Sequence, residues 1–162
     1  DFTHLTDVFY IGGTKNGSLI GEAIVINNKA LQQDFRYHMK QRGALLAKGR
    51  LLSIQFRELF KNDLWFRLAE HANAMAYLLA EGLMSRGIGF MIPPETNQIF
   101  PVLPDSTIKK LKESHLFYEW KRISPETSAI RLVTSWATER SSVDAFLKEL
   151  GQLSGIGAST IL

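Results

Sequence analysis

The feature that most constrains this chain is a glycine-rich turn between two apolar segments near its start. Gly12-Gly13-Thr14-Lys15-Asn16-Gly17 follows the segment 7–11 and precedes the segment 23–26. Both segments are rich in β-branched and aromatic residues, which indicates strands. The side chain at position 15 therefore projects from the end of a rigid element among small neighbours. A lysine amine in such a place can meet a ligand and attack an aldehyde, so we single out Lys15 as a functional amine.

A second interpretation of the same turn is purely structural. Asn16-Gly17 between apolar runs is a strong signal for a tight β-hairpin turn, in which Lys15 is a solvated turn residue. A phosphate-binding P-loop fits less well, because that motif ends in Gly-Lys-Ser/Thr and opens a helix. Here Thr14 precedes the lysine, and Ser18–Ile20 indicates extended chain. The spacing alone leaves the functional and the structural interpretation open.

Helical patterns dominate the chain between this turn and position 86. The pair Asn27-Asn28 offers a helix N-cap, and Leu31, Phe35 and Met39 recur every four residues up to Gly43. A second helix is expected at about 44–60, and a third, alanine-rich helix at about 64–86. We assign residues 1–86 to one domain with its connecting helices.

Shorter elements follow the glycine at position 87, and they indicate a small α+β domain over 87–150 with a mostly antiparallel sheet. Asp105 is expected to cap a short helix, and Ser141 with Asp144 approximates a capping box for the last helix. Extended segments are expected at 88–92, 97–103, 117–121 and 129–136. Residues 151–162 show no period and form a tail.

Arg131 is the second candidate functional residue. Strand alternation places it on the face opposite Ile130 and Leu132. A guanidinium there needs an anion or water, and its planar fork suits a carboxylate. The alternative is a strand arginine whose head lies in solvent or pairs with a glutamate.

A locally basic segment over 36–50 has three possible meanings. It can be a solvated helix face, a helix lying on nucleic acid, or a phosphate site. The phosphate interpretation centres on Lys48, whose small neighbours Ala47 and Gly49 allow close approach, and on Arg50.

The composition excludes several classes of function. Of 162 residues, 45% are hydrophobic and 22% charged, which is ordinary for a globular protein, and a net charge of +3 is too small to argue for nucleic acid. There is no cysteine, hence no disulfide framework and no thiolate metal site, and the four histidines lack metal-ligand spacing. We expect no metal, no membrane segment and a cytoplasmic protein.

Five motifs in order resemble the L-threonine aldolase family. This family belongs to the β-eliminating lyase/threonine aldolase group of the fold-type-I pyridoxal phosphate enzymes. The resemblance runs from about residue 7 to residue 150. The motifs are Gly13-Thr14-Lys15-Asn16-Gly17, Phe35-Arg36-Tyr37 with Gln41–Arg50, Ala69-Glu70-His71-Ala72-Asn73, Thr96-Asn97-Gln98-Ile99-Phe100-Pro101 and Ile130-Arg131-Leu132-Val133-Thr134-Ser135-Trp136.

The resemblance implies an α/β fold class, namely the C-terminal part of a fold-type-I enzyme: the end of the large α/β domain followed by the small domain. It implies pyridoxal 5′-phosphate bound covalently to Lys15 and contacted by Thr14, with Lys48 and Arg50 reaching the cofactor phosphate of a partner subunit. It implies that Arg131 grips the α-carboxylate of an amino-acid substrate. The implied reaction is retro-aldol cleavage of L-threonine, and of related β-hydroxy amino acids, to glycine and an aldehyde in a dimer or tetramer.

The resemblance also implies an incomplete site. The family's aspartate at the pyridine nitrogen, its ring-stacking residue and the histidine at the β-hydroxyl precede the lysine by many residues, so we expect these 162 residues alone to be inactive. The alternatives are another fold-type-I enzyme, such as a β-eliminating lyase or an aminotransferase, and a non-catalytic oligomerisation module.

Overall fold

The computed structural model describes residues 2–154, and the chain divides into two compact units at Leu68–Ala69. This division falls inside a long helix, whereas the boundary drawn from the sequence, at 86/87, lies just beyond the end of that helix. The sequence-based boundary stays a prediction. Within residues 2–154, every helix is too short or too polar to cross a bilayer.

The first unit is built around an antiparallel pair of strands. A short helix α1 (Phe2–Leu5) precedes β1 (Val8–Gly12), which pairs with β2 (Glu22–Ile26). Gly12 lies opposite Glu22, so residues 13–21 form the connection, which we call the lysine loop. The loop holds a single 3-10 turn at Thr14–Asn16. The connection is therefore not the two-residue Asn-Gly turn of the structural interpretation.

Helices follow the strand pair, but they are shorter than the sequence pattern predicts. The side chain of Asn28 accepts a hydrogen bond from the Ala30 N–H (3.0 Å), which confirms the cap, yet only a 3-10 turn follows it. The regular helices are α2 (Phe35–Gln41), α3 (Arg50–Phe60) and α4 (Leu64–Met84). The second predicted helix starts six positions late, at 50 rather than 44, and residues 44–49 form irregular chain and a turn instead.

The second unit combines helices with a four-stranded antiparallel sheet, as the sequence predicts. The central strand β6 pairs with each of the other three strands. The elements are β3 (Gln98–Ile99), β4 (Val102–Pro104), α5 (Asp105–Leu111), β5 (Tyr118–Arg122), β6 (Thr127–Val133) and α6 (Arg140–Ser154). The segment 88–92, expected to be extended, contributes one isolated bridge between Phe90 and Pro101.

The core of the second unit lies on one face of β6. Ile130 and Leu132 point into it, with 0% and 9% of their surface exposed, so Arg131 between them lies on the other face. Helices α4, α5 and α6 cover the core face with apolar side chains. Their fully buried members are Ala80, Leu83, Leu111 and Leu150.

We predict that two helical glycines of the second unit respond oppositely to alanine. A Cβ on Gly82 of α4 would lie 2.3 Å from Cδ1 of the buried Leu147, whereas a Cβ on Gly151 of α6 would meet only Arg86 Nε at 3.7 Å. Overpacking costs about 1–3 kcal/mol, and the higher helix propensity of alanine offsets only about 0.5–1 kcal/mol of it. Urea unfolding should show Gly82→Ala destabilised and its matched control Gly151→Ala unchanged or stabilised. Equal effects would contradict the packing described here.

Candidate active site

The lysine loop presents Lys15 at its outer side. The backbone runs through the 3-10 turn Thr14–Asn16, and both Thr14 and Lys15 are exposed. Within residues 2–154, the Lys15 amine forms no ion pair. Its side chain is therefore accessible to a ligand, as the functional interpretation requires.

The start of the lysine loop rests directly on α3, and this close approach explains one of the glycines. Gly13 is buried, and a Cβ added to it would lie 2.7 Å from Cβ of Ser18 and 2.9 Å from Cζ of Phe56. Real side chains do not tolerate such distances, so the position requires glycine although its φ, at −96°, is ordinary. The residue before the 3-10 turn is thus wedged against a core aromatic ring.

The end of the lysine loop is tied to α3 by hydrogen bonds to one side chain. Gln55 Oε1 accepts from the Leu19 N–H (2.7 Å) and lies 3.0 Å from the Ser18 hydroxyl. Gln55 Nε2 in turn donates to the Leu51 carbonyl (2.7 Å), one turn earlier in α3. The loop therefore has a hydrogen-bonded tether as well as a packed one.

Two further contacts hold the middle of the lysine loop. Asn16 donates a side-chain hydrogen bond to the carbonyl of Trp65 (2.9 Å) at the start of α4. Gly17 adopts φ +96°, and a Cβ there would lie 3.3 Å from Leu68. That left-handed conformation favours glycine, and it returns the chain toward β2. The residues of the loop that are thus fixed are Gly13, Asn16, Gly17, Ser18 and Leu19, while Thr14 and Lys15 remain exposed.

Lys48 and Arg50 lie at the start of α3. Lys48 is exposed in the turn before the helix, and Arg50 is its exposed first residue. Neither cation forms an ion pair in the described part of the chain. Both are therefore available to an anion.

Arg131 is held between aromatic rings on the face of the sheet away from the core. Its guanidinium carbon lies 4.8 Å from the ring centre of Tyr118, the residue directly opposite on β5, and 5.3 Å from that of Trp120. Trp120 packs in turn on Phe100 at 5.2 Å. Cation–π contacts of this kind stabilise a guanidinium by about 0.5–1 kcal/mol at exposed sites. The predicted orientation of Arg131 is confirmed.

One atom of Arg131 has no partner. Its Nε is buried and makes no hydrogen bond within residues 2–154. An unsatisfied buried donor costs about 1–3 kcal/mol, so such a group is expected to have a partner that is not a residue of this part of the chain. A carboxylate is the natural partner, because it accepts from two guanidinium donors at once.

The end of β6 beyond Arg131 is fixed to α4 by polar side chains from the quoted motifs. The Thr134 hydroxyl donates to the Ala72 carbonyl (2.6 Å), and the Asn97 side chain donates to the Thr134 carbonyl (2.7 Å). These bonds are buried or half-buried. They explain why threonine and asparagine occur in these motifs, and they make the strand that carries the arginine rigid.

A cavity of about 640 Å³ opens beside this end of β6. Arg131 and Tyr118 line it together with polar and apolar groups that include His115, Thr138 and Phe146. The cavity is therefore large enough for a small molecule and carries a cation at its wall.

A hydrogen-bonded carboxylate supports the wall of the cavity. Glu149 of α6 accepts from the Ser114 hydroxyl and lies 3.0 Å from His115 Nε2. The Ser114 hydrogen bond, and after it the His115 ring, hold the pKa of the Glu149 carboxyl below its usual range. This network fixes the imidazole that borders the cavity.

The candidate residues form two sets. Thr14, Lys15, Lys48 and Arg50 lie in the first unit, and Arg131 lies in the second. Sequence reasoning identified all of these but missed Gln55, Tyr118 and Trp120. The strand pattern offered a signal for the aromatic pair, because cross-strand neighbours of a buried arginine are candidates to cover it. It offered none for Gln55, whose contact spans 36 residues of sequence.

Comparisons with known proteins converge on one family, although no family profile matches the sequence. The chain is 35% identical over 151 residues to a low-specificity L-threonine aldolase of Pseudomonas aeruginosa, and 36% identical over 139 residues to one of another Pseudomonas. These matches cover 92% and 85% of this chain but 42% and 39% of the relatives. A threonine aldolase structure from Leishmania major superposes with a TM-score of 0.88 at 44% identity, over 94% of this chain and 44% of that one. The chain thus spans less than half the length of the proteins that it matches.

We predict that the lysine loop depends on glycine at position 13 but not at position 12. The Cβ added in Gly13→Ala would clash with both Ser18 and Phe56, so the substitution should lower the free energy of unfolding by about 1–3 kcal/mol. Gly12→Ala is the matched control, because its Cβ would meet only Glu22 Oε1 at 3.8 Å. Urea unfolding followed by tryptophan fluorescence measures both. A Gly13→Ala protein as stable as the control would show that the loop is not wedged on α3.

Proposed function

Because this chain belongs to the L-threonine aldolase family over the part that it matches, we propose that it forms part of a pyridoxal phosphate-dependent lyase. The proposed reaction cleaves L-threonine and related β-hydroxy amino acids to glycine and an aldehyde. A shared fold supports many reactions, so the proposal needs support from the residues of the site.

The observation that carries the proposal is the contrast between a fixed loop and a free amine. Gly13, Asn16 and Gly17 are held by packing and hydrogen bonds, while the Lys15 side chain between them is exposed and forms no ion pair within residues 2–154. A lysine whose only role is to end a hairpin needs no such support. A lysine that must meet a reactive group in one place does.

The residues present suit pyridoxal phosphate by their chemistry. A primary amine can hold an aldehyde covalently, and Lys15 offers one, with Thr14 as its neighbour in sequence. Lys48 and Arg50 offer cations for a phosphate. When bound, the cofactor's ring takes up the electron pair released at the substrate Cα.

Arg131 would bind the α-carboxylate of the amino acid and thereby orient its Cα bonds. The unpartnered Nε supplies one donor, and the planar fork supplies a second in parallel. The rings of Tyr118 and Trp120 both contact the guanidinium and restrict its movement. A substrate bound to it would therefore be held at a defined position. The orientation of the bound carboxylate would then determine which Cα bond of the substrate is cleaved.

The proposal includes a homo-oligomer in which Lys48 and Arg50 reach the cofactor phosphate of a neighbouring subunit. Large apolar side chains are exposed on α3 and at the start of α4, and such surfaces favour burial against another chain. The exposed fractions are 62% for Leu51, 37% for Ile54 and 58% for Phe66. The amino-acid substrate remains the only small-molecule partner proposed besides the cofactor.

Borohydride reduction in the presence of pyridoxal phosphate tests the proposal. We expect a pyridoxyl adduct at Lys15 that is lost in Lys15→Arg and kept in Lys29→Arg, a control at another exposed lysine of the first unit. Assays for acetaldehyde, pyruvate and amino transfer on a full-length protein that includes this chain then separate retro-aldol cleavage from β-elimination and transamination. Adducts spread over surface lysines would favour a non-catalytic module, and pyruvate as the product would favour a β-eliminating lyase.

A second variant tests the carboxylate grip. Arg131→Lys keeps the charge but loses the planar pair of donors. In a full-length protein that includes this chain, we therefore expect KM for L-threonine to rise by about 10- to 100-fold, from about 1.5–3 kcal/mol for a hydrogen bond to a charged group. Arg140→Lys, at an exposed arginine of α6, is the matched control and should leave KM unchanged. A normal KM in Arg131→Lys would remove Arg131 from the substrate site.

A further inference from the structure

We propose that Gln55 is a positioning residue for Lys15: its side-chain oxygen holds the far half of the lysine loop on α3, so that the amine is presented in one place. The inference rests on the proposed function, because it assigns Gln55 a purpose only if Lys15 binds an aldehyde group. Gln55 itself does not touch the reacting atoms.

The orientation of the Gln55 amide is defined by its surroundings. The Leu19 N–H is a donor 2.7 Å from Oε1, and the Leu51 carbonyl is an acceptor 2.7 Å from Nε2. If the oxygen and nitrogen of the amide were exchanged, the NH2 group would face the Leu19 N–H and the oxygen would face the Leu51 carbonyl. Neither pair can form a hydrogen bond. The glutamine therefore links a main-chain N–H of the loop to the main chain of α3 in one arrangement.

The bond to Leu19 is the constant part of this tether. Ser18 Oγ lies 3.0 Å from Gln55 Oε1 and 2.9 Å from the Ile20 carbonyl, and a hydroxyl has a single proton to donate. It serves one acceptor at a time. Among residues 2–154, the Leu19 N–H has only the glutamine oxygen as partner, so the loop remains tied whichever way the serine hydroxyl turns.

The loop needs such a tether because of its composition. Glycines at 13, 17 and 21 give the backbone a wide choice of conformations, and each ordered residue costs about 1–2 kcal/mol of conformational entropy. The packed contacts of Gly13 and the Asn16 hydrogen bond fix the near half. Leu19, with 83% of its surface exposed, has no side-chain packing to hold it. A main-chain hydrogen bond to a helix fixes this half without closing the approach to Lys15.

A positioning role and a purely structural role predict different results. When Gln55 is removed, the Leu19 N–H can bond to water because it lies at the surface, so unfolding should change by only about 0.5–1.5 kcal/mol. The loop, however, should sample more conformations, and reaction of Lys15 with an aldehyde should weaken. Labelling of Lys15 is therefore the decisive readout, and global stability is the check.

The experiment compares Gln55→Met, which has similar length but no acceptor, with Gln55→Glu, which keeps an acceptor for the Leu19 N–H. The protein is incubated with pyridoxal phosphate over a range of concentrations at several pH values and reduced with borohydride, and the Lys15 peptide is quantified by mass spectrometry. For Gln55→Met we expect the half-labelling concentration to rise about 10-fold at each pH, as a lost hydrogen bond of about 1–1.5 kcal/mol predicts. Gln55→Glu should stay within about threefold of the parent, since the acceptor is retained. Gln152→Met, at an exposed glutamine of α6, is the matched control and should label as the parent does.

The outcomes separate this inference from the proposed function. If the parent itself gives no Lys15 adduct, the proposed function fails. If the parent is labelled and Gln55→Met is labelled equally well, Gln55 is not a positioning residue. Should Gln55→Met unfold, Gln55→Asn, which stays polar but is one methylene too short to reach Leu19, replaces it. Parent-like labelling of Gln55→Asn overturns the inference, and weakened labelling with a loss of at most about 1.5 kcal/mol in the free energy of unfolding supports it.

Discussion

The structure of the first unit depends on how a glycine-rich loop is held against a helix. Residues 13–21 leave β1, pass over α3 and return to β2, and their glycines give them little intrinsic order. Order comes from a wedge at Gly13 and Phe56 and from the Gln55 side chain, which accepts the Leu19 N–H. The consequence is a rigid support with an exposed amine on it. This combination distinguishes the loop from an ordinary hairpin turn.

In the second unit, the side chain that is held in place is the guanidinium of Arg131. A guanidinium on the solvent face of a sheet is normally mobile and hydrated, yet Arg131 is confined by Tyr118 and Trp120, and its buried Nε has no hydrogen-bond partner within residues 2–154. The strand beneath it is fixed to α4 through Thr134. In both units the candidate side chain differs from the residues that restrain its backbone, an arrangement that suits binding in a defined geometry.

Patterns with a short period were predicted well from the sequence. Alternation on β6 gave the burial of Ile130 and Leu132 and the opposite face for Arg131, because period 2 is enforced wherever one face of a strand is covered. The resemblance of the motif order to threonine aldolases is borne out by the 35–44% identity of the matching proteins. What remained open, from spacing alone, was whether Lys15 is functional, and its role stays a prediction.

Features that depend on contacts distant in sequence were not predictable. Asp105 was expected to cap α5, but its carboxylate accepts from the Ser128 hydroxyl and pairs with Arg122 (3.0 Å), which lie on strands later in the chain. The capping box at Ser141 is absent because α6 starts one residue earlier, and the hydroxyl donates to Glu139 instead. Gln55 was missed for the same reason. The prediction of a tail over 151–162 was wrong at its start, because α6 continues to Ser154, and the rest of that tail lies outside the described residues.

The most direct test of this account is amide hydrogen exchange in the lysine loop of the parent protein, without added cofactor. If the loop is ordered by α3 before any ligand binds, the Leu19 N–H should be protected from exchange although the Leu19 side chain is exposed. A surface amide without a hydrogen bond would exchange freely. Protection of Leu19 comparable to that of amides in β1 and β2 is the result we expect. Exchange of Leu19 at the rate of an unstructured peptide would show that the loop is not fixed in advance, and the central claim would then be wrong.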